Sequence, residues 1–206
     1  MKLKLPHWLL IIYVIYAIIL AINPYDRKVW LVENATMWPI IILLVITYRK
    51  FQFSSLSYIL MSFLIFMHTF GGHYTFERVP FGFITDLFGF QRNHYDRLAH
   101  FTVGFYAFPI AEFIQRKKLS NSIWLTALFG VFAICTTALV YELFEWIFAV
   151  SSDPTAGIAV LGSQGDVWDA QKDMLADTLG AIFAMFIFLK IGTKAKDSLD
   201  ADTRRF

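Results

Sequence analysis

Apolar residues in this chain gather in six long runs: Trp8–Ile22, Met37–Tyr48, Phe53–Phe70, Leu98–Ile114, Ile123–Val150 and Met174–Ile191. A helix needs about 20 such residues to cross the hydrocarbon core, and shorter runs cross by local thinning or by snorkelling of their flanks. The pattern predicts an all-α, polytopic membrane protein, with about six transmembrane helices in a single bundle over residues 1–192. Residues 193–206 are polar and are expected to fray as a tail. The second run is the shortest, and Pro39 fits its first turn, where a missing N–H does no harm. The first run follows Lys2 and Lys4, as a secretion signal would. It ends in Ala-Ile-Asn-Pro-Tyr with no small-x-small cleavage site, so it reads as a retained helix.

Lysine and arginine set the orientation, because they favour the cytoplasmic side of short loops. With the N-terminus inside, the inner segments hold Lys2, Lys4, Arg49, Lys50, Arg116, Lys117, Lys118, Lys190, Lys194, Lys196, Arg204 and Arg205. The outer loops hold Arg27, Lys28, Arg78, Arg92, Arg97 and Lys172. This two-to-one bias predicts both termini in the cytoplasm. Trp8 and Trp124 near inner ends, and Trp30, Trp38, Trp146 and Trp168 near outer ends, form the expected aromatic belts. The long outer loops, Gly71–Arg97 and Ser151–Asp173, are richer in glycine, proline and polar groups.

Composition agrees: 57% of residues are hydrophobic and 17% charged, against about 25% charged in soluble domains. The length leaves no room for a second folded domain, and no internal repeat is visible. A net charge of +2 with no basic stripe of interleaved aromatics gives no nucleic-acid signal. Cys135 is the single cysteine, so no intrachain disulfide exists, and its place in an apolar run suits a small core residue. The expected partners are membrane lipids; the sequence carries no signal of oligomeric state.

The ionisable residues within the runs are unevenly placed. His68 falls near the outer end of the third helix and His100 near the outer start of the fourth. Glu142 and Glu145 fall at the outer end of the fifth helix, and Asp173 and Asp177 open the sixth. At 1.5 Å per residue, His100 lies about 24 Å from Arg116 and Asp177 about 20 Å from Lys190. In a core about 30 Å thick, the groups sit roughly 5–10 Å below the outer boundary. Charges at such depth are costly, face the bundle interior and mark function by default.

Spacing places Asp96 and His100 on one helical face, Glu142 and Glu145 on another, and Asp169, Asp173 and Asp177 in a stripe. Paired acids and an imidazole on three helices are akin to the inward ligand sets of helical metal proteins, although no Glu-x-x-His signature is present. So many carboxylates in one low-dielectric layer require either protonation of some or a cation. The expected metal ligands are His100, Glu142, Glu145, Asp173, Asp177 and His68. With imidazole present, zinc is a natural ion; a mainly oxygen site would suit magnesium or manganese. Glu142, Glu145, Asp96 and Arg97 are the candidate catalytic groups.

Plainer roles compete. Asp166 and Asp169 follow a Gly-Ser-Gln-Gly turn and look like an N-cap and a first-turn acid of the sixth helix. Asp96 suits a helix start, and Arg97 suits a partner for one of these acids. His73, Glu77, Asp86 and His94 lie in a loop, where polar residues are ordinary, and His7 is juxtamembrane. A buried salt-bridge network would also account for His100, Glu142, Glu145 and Asp177.

Three segments carry a resemblance: His-Tyr-Asp-Arg-Leu-Ala-His-Phe at 94–101, Tyr-Glu-Leu-Phe-Glu-Trp at 141–146, and Gly-Asp-Val-Trp-Asp-Ala-Gln-Lys-Asp-Met-Leu-Ala-Asp-Thr-Leu-Gly-Ala at 165–181. Nearly the whole chain resembles the YjdF-like bacterial inner-membrane proteins, which implies a multi-pass fold and names no reaction. The second half is distantly similar to VanZ-type membrane proteins, with their Asp-Lys-x-x-His-Phe, helical Glu and Asp-x-x-x-Asn/Asp-x-x-Gly elements. The matching positions are Asp96, Arg97, His100 and Phe101, then Glu142 or Glu145, then Asp173, Asp177 and Gly180. Arg97 stands where those proteins carry lysine, and Trp146 stands where glutamine often follows the helical Glu. That resemblance implies a role in the cell envelope and does not identify a substrate.

Three function classes follow from the residues. One is a metal-dependent enzyme at the periplasmic leaflet acting on a lipid or lipid-linked substrate, with a metal-activated water, a spare carboxylate as base, and Arg97 and Arg92 gripping a phosphate. Another is a transporter or ion-binding protein using the same acids as a relay. A structural membrane protein with a buried polar network is the third. No Ser-His-Asp, Cys-His, P-loop or dinucleotide motif is present. The charge bias makes a topology prediction: reporter fusions at Lys117 and near the C-terminus should read as cytoplasmic, and fusions within 71–97 and 151–173 as external. An externally accessible Lys117 would invert the assignment.

Overall fold

The protein is described here as a computed structural model over residues 3–151, 154–161 and 163–203, with backbone alone for 155, 156, 159 and 193–203. The described residues form nine α-helices and no strand: α1 (Leu5–Leu20), α2 (Arg27–Thr47), α3 (Ser55–Tyr74), α4 (Gly82–Phe88), α5 (Tyr95–Val103), α6 (Ala107–Arg116), α7 (Ile123–Ser151), α8 (Pro154–Leu161) and α9 (Asp169–Thr203). Four helices are long and apolar enough to cross a membrane: α2, α3, α7 and the Asp169–Gly192 part of α9. The first apolar run gives the shorter α1, and the fourth gives α5 and α6 stacked end to end. Large apolar side chains such as Ile15, Ile46, Phe129, Val140 and Ile182 are exposed around the bundle, as expected of a surface turned to hydrocarbon.

Local chemistry explains where the helices depart from the apolar runs. Helix α2 starts at Arg27, ten residues ahead of Met37, because Asp26 caps it: its Oδ1 accepts from the backbone N–H of Lys28 at 2.7 Å and of Val29 at 3.0 Å. Pro39 therefore lies inside the helix rather than in its first turn. Between α5 and α6 the chain tightens into a 3₁₀ turn at Gly104–Tyr106. Pro109, in the first turn of α6, has no N–H to bond the Phe105 carbonyl in that turn. At the other end, α9 continues past Gly192 to Thr203, through residues that include no glycine or proline to stop it.

Helix α9 is the axis of the bundle, packed against α5, the 3₁₀ turn, α6 and α7. Small residues let it come close. A Cβ on Gly180 would collide with the carbonyl oxygen of Phe101, and one on Gly104 with the backbone of Gly180 and Ala181. Ala107, Ala111, Ala181 and Ala184 are fully buried beside this crossing. Below it Leu60, Phe105, Phe108, Ile134, Met185 and Phe188 form an apolar layer. Such small-residue crossings are how membrane helices gain contact where water exerts no hydrophobic drive. Helices α1 and α2 each pack on α3.

A polar knot closes the end of the bundle away from His100. Glu112 on α6 accepts from the Ser54 N–H at 2.8 Å, the Ser54 hydroxyl at 2.8 Å and the Ser57 hydroxyl, and pairs with Arg116 at 2.6 Å. Ser54 in turn caps α3 through the Ser57 N–H. The knot ties the start of α3 to the end of α6.

The crossing yields a stability prediction. Gly180→Ala places a carbon against a backbone carbonyl that cannot swing away, and should destabilise the detergent-solubilised protein by about 1–3 kcal/mol. Gly82→Ala, where nothing lies within 4 Å, should leave the unfolding midpoint unchanged. Equal midpoints for both variants would contradict the close crossing.

Candidate polar site at one end of the bundle

Three aspartates spaced four apart share one face of α9, and all are buried: Asp169 at its first residue, then Asp173 and Asp177, the last only 1% exposed. Helix α5 presents Asp96 and His100 to them. His100 Nδ1 lies 3.2 Å from both oxygens of Asp177, and its Nε2 lies 3.8 Å from Asp96 Oδ1. One ligand atom each from Asp96, His100 and Asp173 lie within 4.8 Å of one another. Asp173 Oδ1 is buried without a hydrogen bond, 3.7 Å from Arg97 Nε.

The mouth of this cluster is clamped. Arg97 donates to Asp166 at 2.6 Å and to Asp169 at 3.0 Å. Arg92 pairs with Asp169 and donates to the Ser163 carbonyl at 3.0 Å. Asn93 and Gln164 exchange two hydrogen bonds, 3.0 and 3.1 Å long. The two long loops are thereby bound to each other over the start of α9.

A second group stands on the opposite wall. Glu33 Oε2 of α2 lies 3.1 Å from His68 Nε2 of α3, both side chains buried. The Thr36 hydroxyl lies 3.3 Å from the same nitrogen. Gly72 leaves room for this approach: a Cβ there would stand 3.0 Å from that of Glu33. Between the walls the Tyr141 ring meets His68 edge-on at 6.4 Å and His100 at 6.0 Å. A cavity of about 220 Å³ lies among these groups, lined also by Glu145, Asp96, Asp177, Leu64 and Val160.

The residues singled out from sequence divide accordingly. His68, Asp96, His100, Glu145 and Asp177 line the cavity, and Asp173 joins Asp96 and His100 beside it. Glu142 is not among the lining residues; its Oε1 is buried with no hydrogen bond. His68 faces Glu33 rather than the α9 acids. Arg92 and Arg97, the candidate phosphate grip, are engaged by Asp166 and Asp169. Asp166 lies three residues ahead of α9. It accepts from the Trp168 N–H at 3.1 Å, and it also binds Lys172 at 2.7 Å. Asp169 is the first-turn acid expected.

Glu33 and Tyr141 were not singled out. Glu33 stands ahead of the apolar run of its helix, and only the Asp26 cap signals that the helix has already begun. Tyr141 lies in a quoted segment, one residue before Glu142, with no spacing pattern of its own.

Outside the spans, the titrations of Asp166 and His94 are displaced. Lys172 and Arg97 hold the Asp166 carboxyl below the usual carboxylate range. Burial, with the guanidiniums of Arg97 and Arg92 nearby, lowers the proton affinity of His94.

Comparison with known proteins agrees with a membrane bundle. A family described as "Predicted membrane protein (DUF2238)" matches residues 5–194. The chain is 35% identical over 178 residues to the inner membrane protein YjdF of Escherichia coli (strain K12), covering 82% of this chain and 80% of that protein. No solved structure matches.

Asp166 supplies a pH prediction. Its folded carboxyl binds a proton less readily than the free side chain, so its ion pairs stabilise above the usual carboxylate range. That contribution should fade as pH falls below roughly 4. Melting temperature measured in detergent against pH should show this acid limb, and Asp166→Asn should flatten it. An unchanged limb in the variant would remove Asp166 from the clamp.

Proposed function

The chain belongs to the DUF2238 family of predicted membrane proteins, and from that premise we propose that it is a multi-pass inner-membrane enzyme using a divalent metal at Asp96, His100 and Asp173. Its substrate is a lipid or lipid-linked envelope molecule at the periplasmic leaflet, and both termini lie in the cytoplasm. The observation that carries this reading is the grouping of those three ligand atoms within 4.8 Å. The bare, buried Asp173 Oδ1 fits it, because a polar atom kept from water needs a partner.

The donor set suits a metal. His100 Nε2 and one oxygen each from Asp96 and Asp173 would hold the ion, with zinc favoured by the imidazole and manganese or magnesium by the oxygens. Asp177 accepts from His100 Nδ1–H, which fixes the tautomer and turns Nε2 toward the carboxylates. A bound ion would lower the pKa of a coordinated water. Glu145, on the cavity wall, is placed to take a proton from a reacting group. Leu64, Val103, Ala138 and Val160 give the cavity apolar walls suited to hydrocarbon. A metal would also answer the charge balance: among the described residues, Glu33, Asp96, Glu142, Glu145, Asp166, Asp169, Asp173 and Asp177 have Arg92, Arg97 and Lys172 as the fixed cations within ion-pair reach.

The relay reading is less well supported. Beyond Asp177 the bundle narrows to the Gly104–Gly180 crossing and the apolar layer beneath it.

Elemental analysis of detergent-purified protein tests the proposal. About one divalent ion per chain is expected. His100→Ala should lose it, and Asp177→Asn should weaken binding roughly 10–100-fold. Affinity should fall at acidic pH as the ligands protonate, and Asp166→Ala should retain the metal. Wild-type protein that holds no stoichiometric metal, and takes up none on dialysis against zinc, manganese or magnesium, would defeat the mechanism.

A further inference from the structure

The opposite half of the bundle carries a second feature, independent of the metal. Helices α1 and α2 rest side by side on α3 and leave a cleft of about 270 Å³ between them. Its walls are apolar, with Leu10 from α1, Ile41 and Leu44 from α2, and Met61 and Ile65 from α3. Tyr13 lines the inner part of the cleft, with its hydroxyl 3.1 Å from the Thr69 hydroxyl and its ring edge-on to Phe66 at 5.7 Å. From Pro6 to Tyr13 the wall is seven residues long, roughly 10 Å. One leaflet of hydrocarbon is about 15 Å deep, so the cleft accepts a chain entering from one membrane face only.

That face is basic. Pro6, His7 and Tyr48 form the mouth, and Lys4 reaches across it to bond Gln52 Oε1 at 3.0 Å. Arg49 and Lys50 are exposed in the turn that follows Tyr48. The Lys117 ammonium lies 5.6 Å over the Phe51 ring, beside Arg116. The sole acid here among the described side chains is Glu112, consumed by Arg116 and the serines. An apolar slot shallower than one leaflet, beneath a rim of basic side chains, has the shape and charge to take an anionic phospholipid.

We infer that the cleft between α1 and α2 binds one anionic phospholipid of the cytoplasmic leaflet, with an acyl chain against α3 and its phosphate at Lys4, Arg49 and Lys50. Juxtamembrane bases attract such headgroups, and an apolar cleft left empty in the bilayer would forfeit dispersion contact along its walls. The lipid would complete the packing of α1, which rests on α3.

Native mass spectrometry of the full, delipidated chain tests this by titration with phosphatidylglycerol and with phosphatidylcholine of identical chains. One phosphatidylglycerol per chain should be retained, at least tenfold more tightly than phosphatidylcholine. Arg49→Gln combined with Lys50→Gln, both at the surface, should lower that preference on the order of tenfold. Leu44→Trp should fill the cleft and reduce retention of both lipids, whereas Leu128→Trp on the exposed face of α7 should not. Equal retention of the two lipids would overturn the inference, as would displacement by millimolar inorganic phosphate, which would mark a bare anion site. If Leu44→Trp fails to fold, the charge pair alone decides: an unaltered preference in it rejects the site.

Discussion

A carboxylate inside a membrane bundle must find a cation, a hydrogen-bond donor or a proton, because hydrocarbon supplies no water to do the work. Asp169, Asp173 and Asp177 impose that demand on everything around α9. Arg92 and Arg97 meet it at the mouth, His100 meets it at the depth of Asp177, and Asp173 is left with an oxygen unmatched. The requirement weakens toward the loops, where water is near, and sharpens toward the apolar layer. The proposed metal would sit at a level where the protein's own cations fall short.

These pairings depend on helices that approach closely. Gly104 and Gly180 bring the backbones of the α5–α6 stack and α9 into direct contact. Asp96 and His100 lie within two turns of that crossing, so their side chains reach α9 without stretching. Gly72 does the same for Glu33 on the opposite wall. The Pro109 irregularity sits at this level too, where close packing on α9 absorbs a poorly bonded turn.

Much of this was legible in the chain itself, for identifiable reasons. The multi-pass helical fold follows from blocks of apolar residues, a signal that survives any detail of packing. The α9 stripe and the Asp96–His100 pair follow from helical spacing, and their inward aim follows from the cost of facing lipid. Pairing between helices was not legible. Nothing local tells Glu33 that it will meet His68, or that Arg97 will clamp Asp166 and Asp169 rather than remain open to a ligand. Glu33 was hidden further because polar residues before an apolar run look like loop until the Asp26 cap is weighed. Glu112 escaped because a single acid near a basic turn resembles a solvated surface residue, although three donors from the cap and first turn of α3 enclose it. The boundary of the fourth helix was readable, but its division at Gly104 required the tertiary contact.

The distance along the chain between His100 and Asp177, 77 residues, also orders events in time. Ribosomes add about 5–20 residues per second, so His100 and the arginines exist for roughly 4–15 s before their acids are made. The arginines lie at the end of their span and can wait in the headgroup layer. Helix α9 has no such latitude, since three acids entering hydrocarbon alone would oppose their own insertion. Its favourable route is against an α5 already in place, which makes biogenesis sequential and the last helix the closing element. A nascent chain stalled before Asp169 would hold His100 and Arg97 without the three aspartates of α9 that face them.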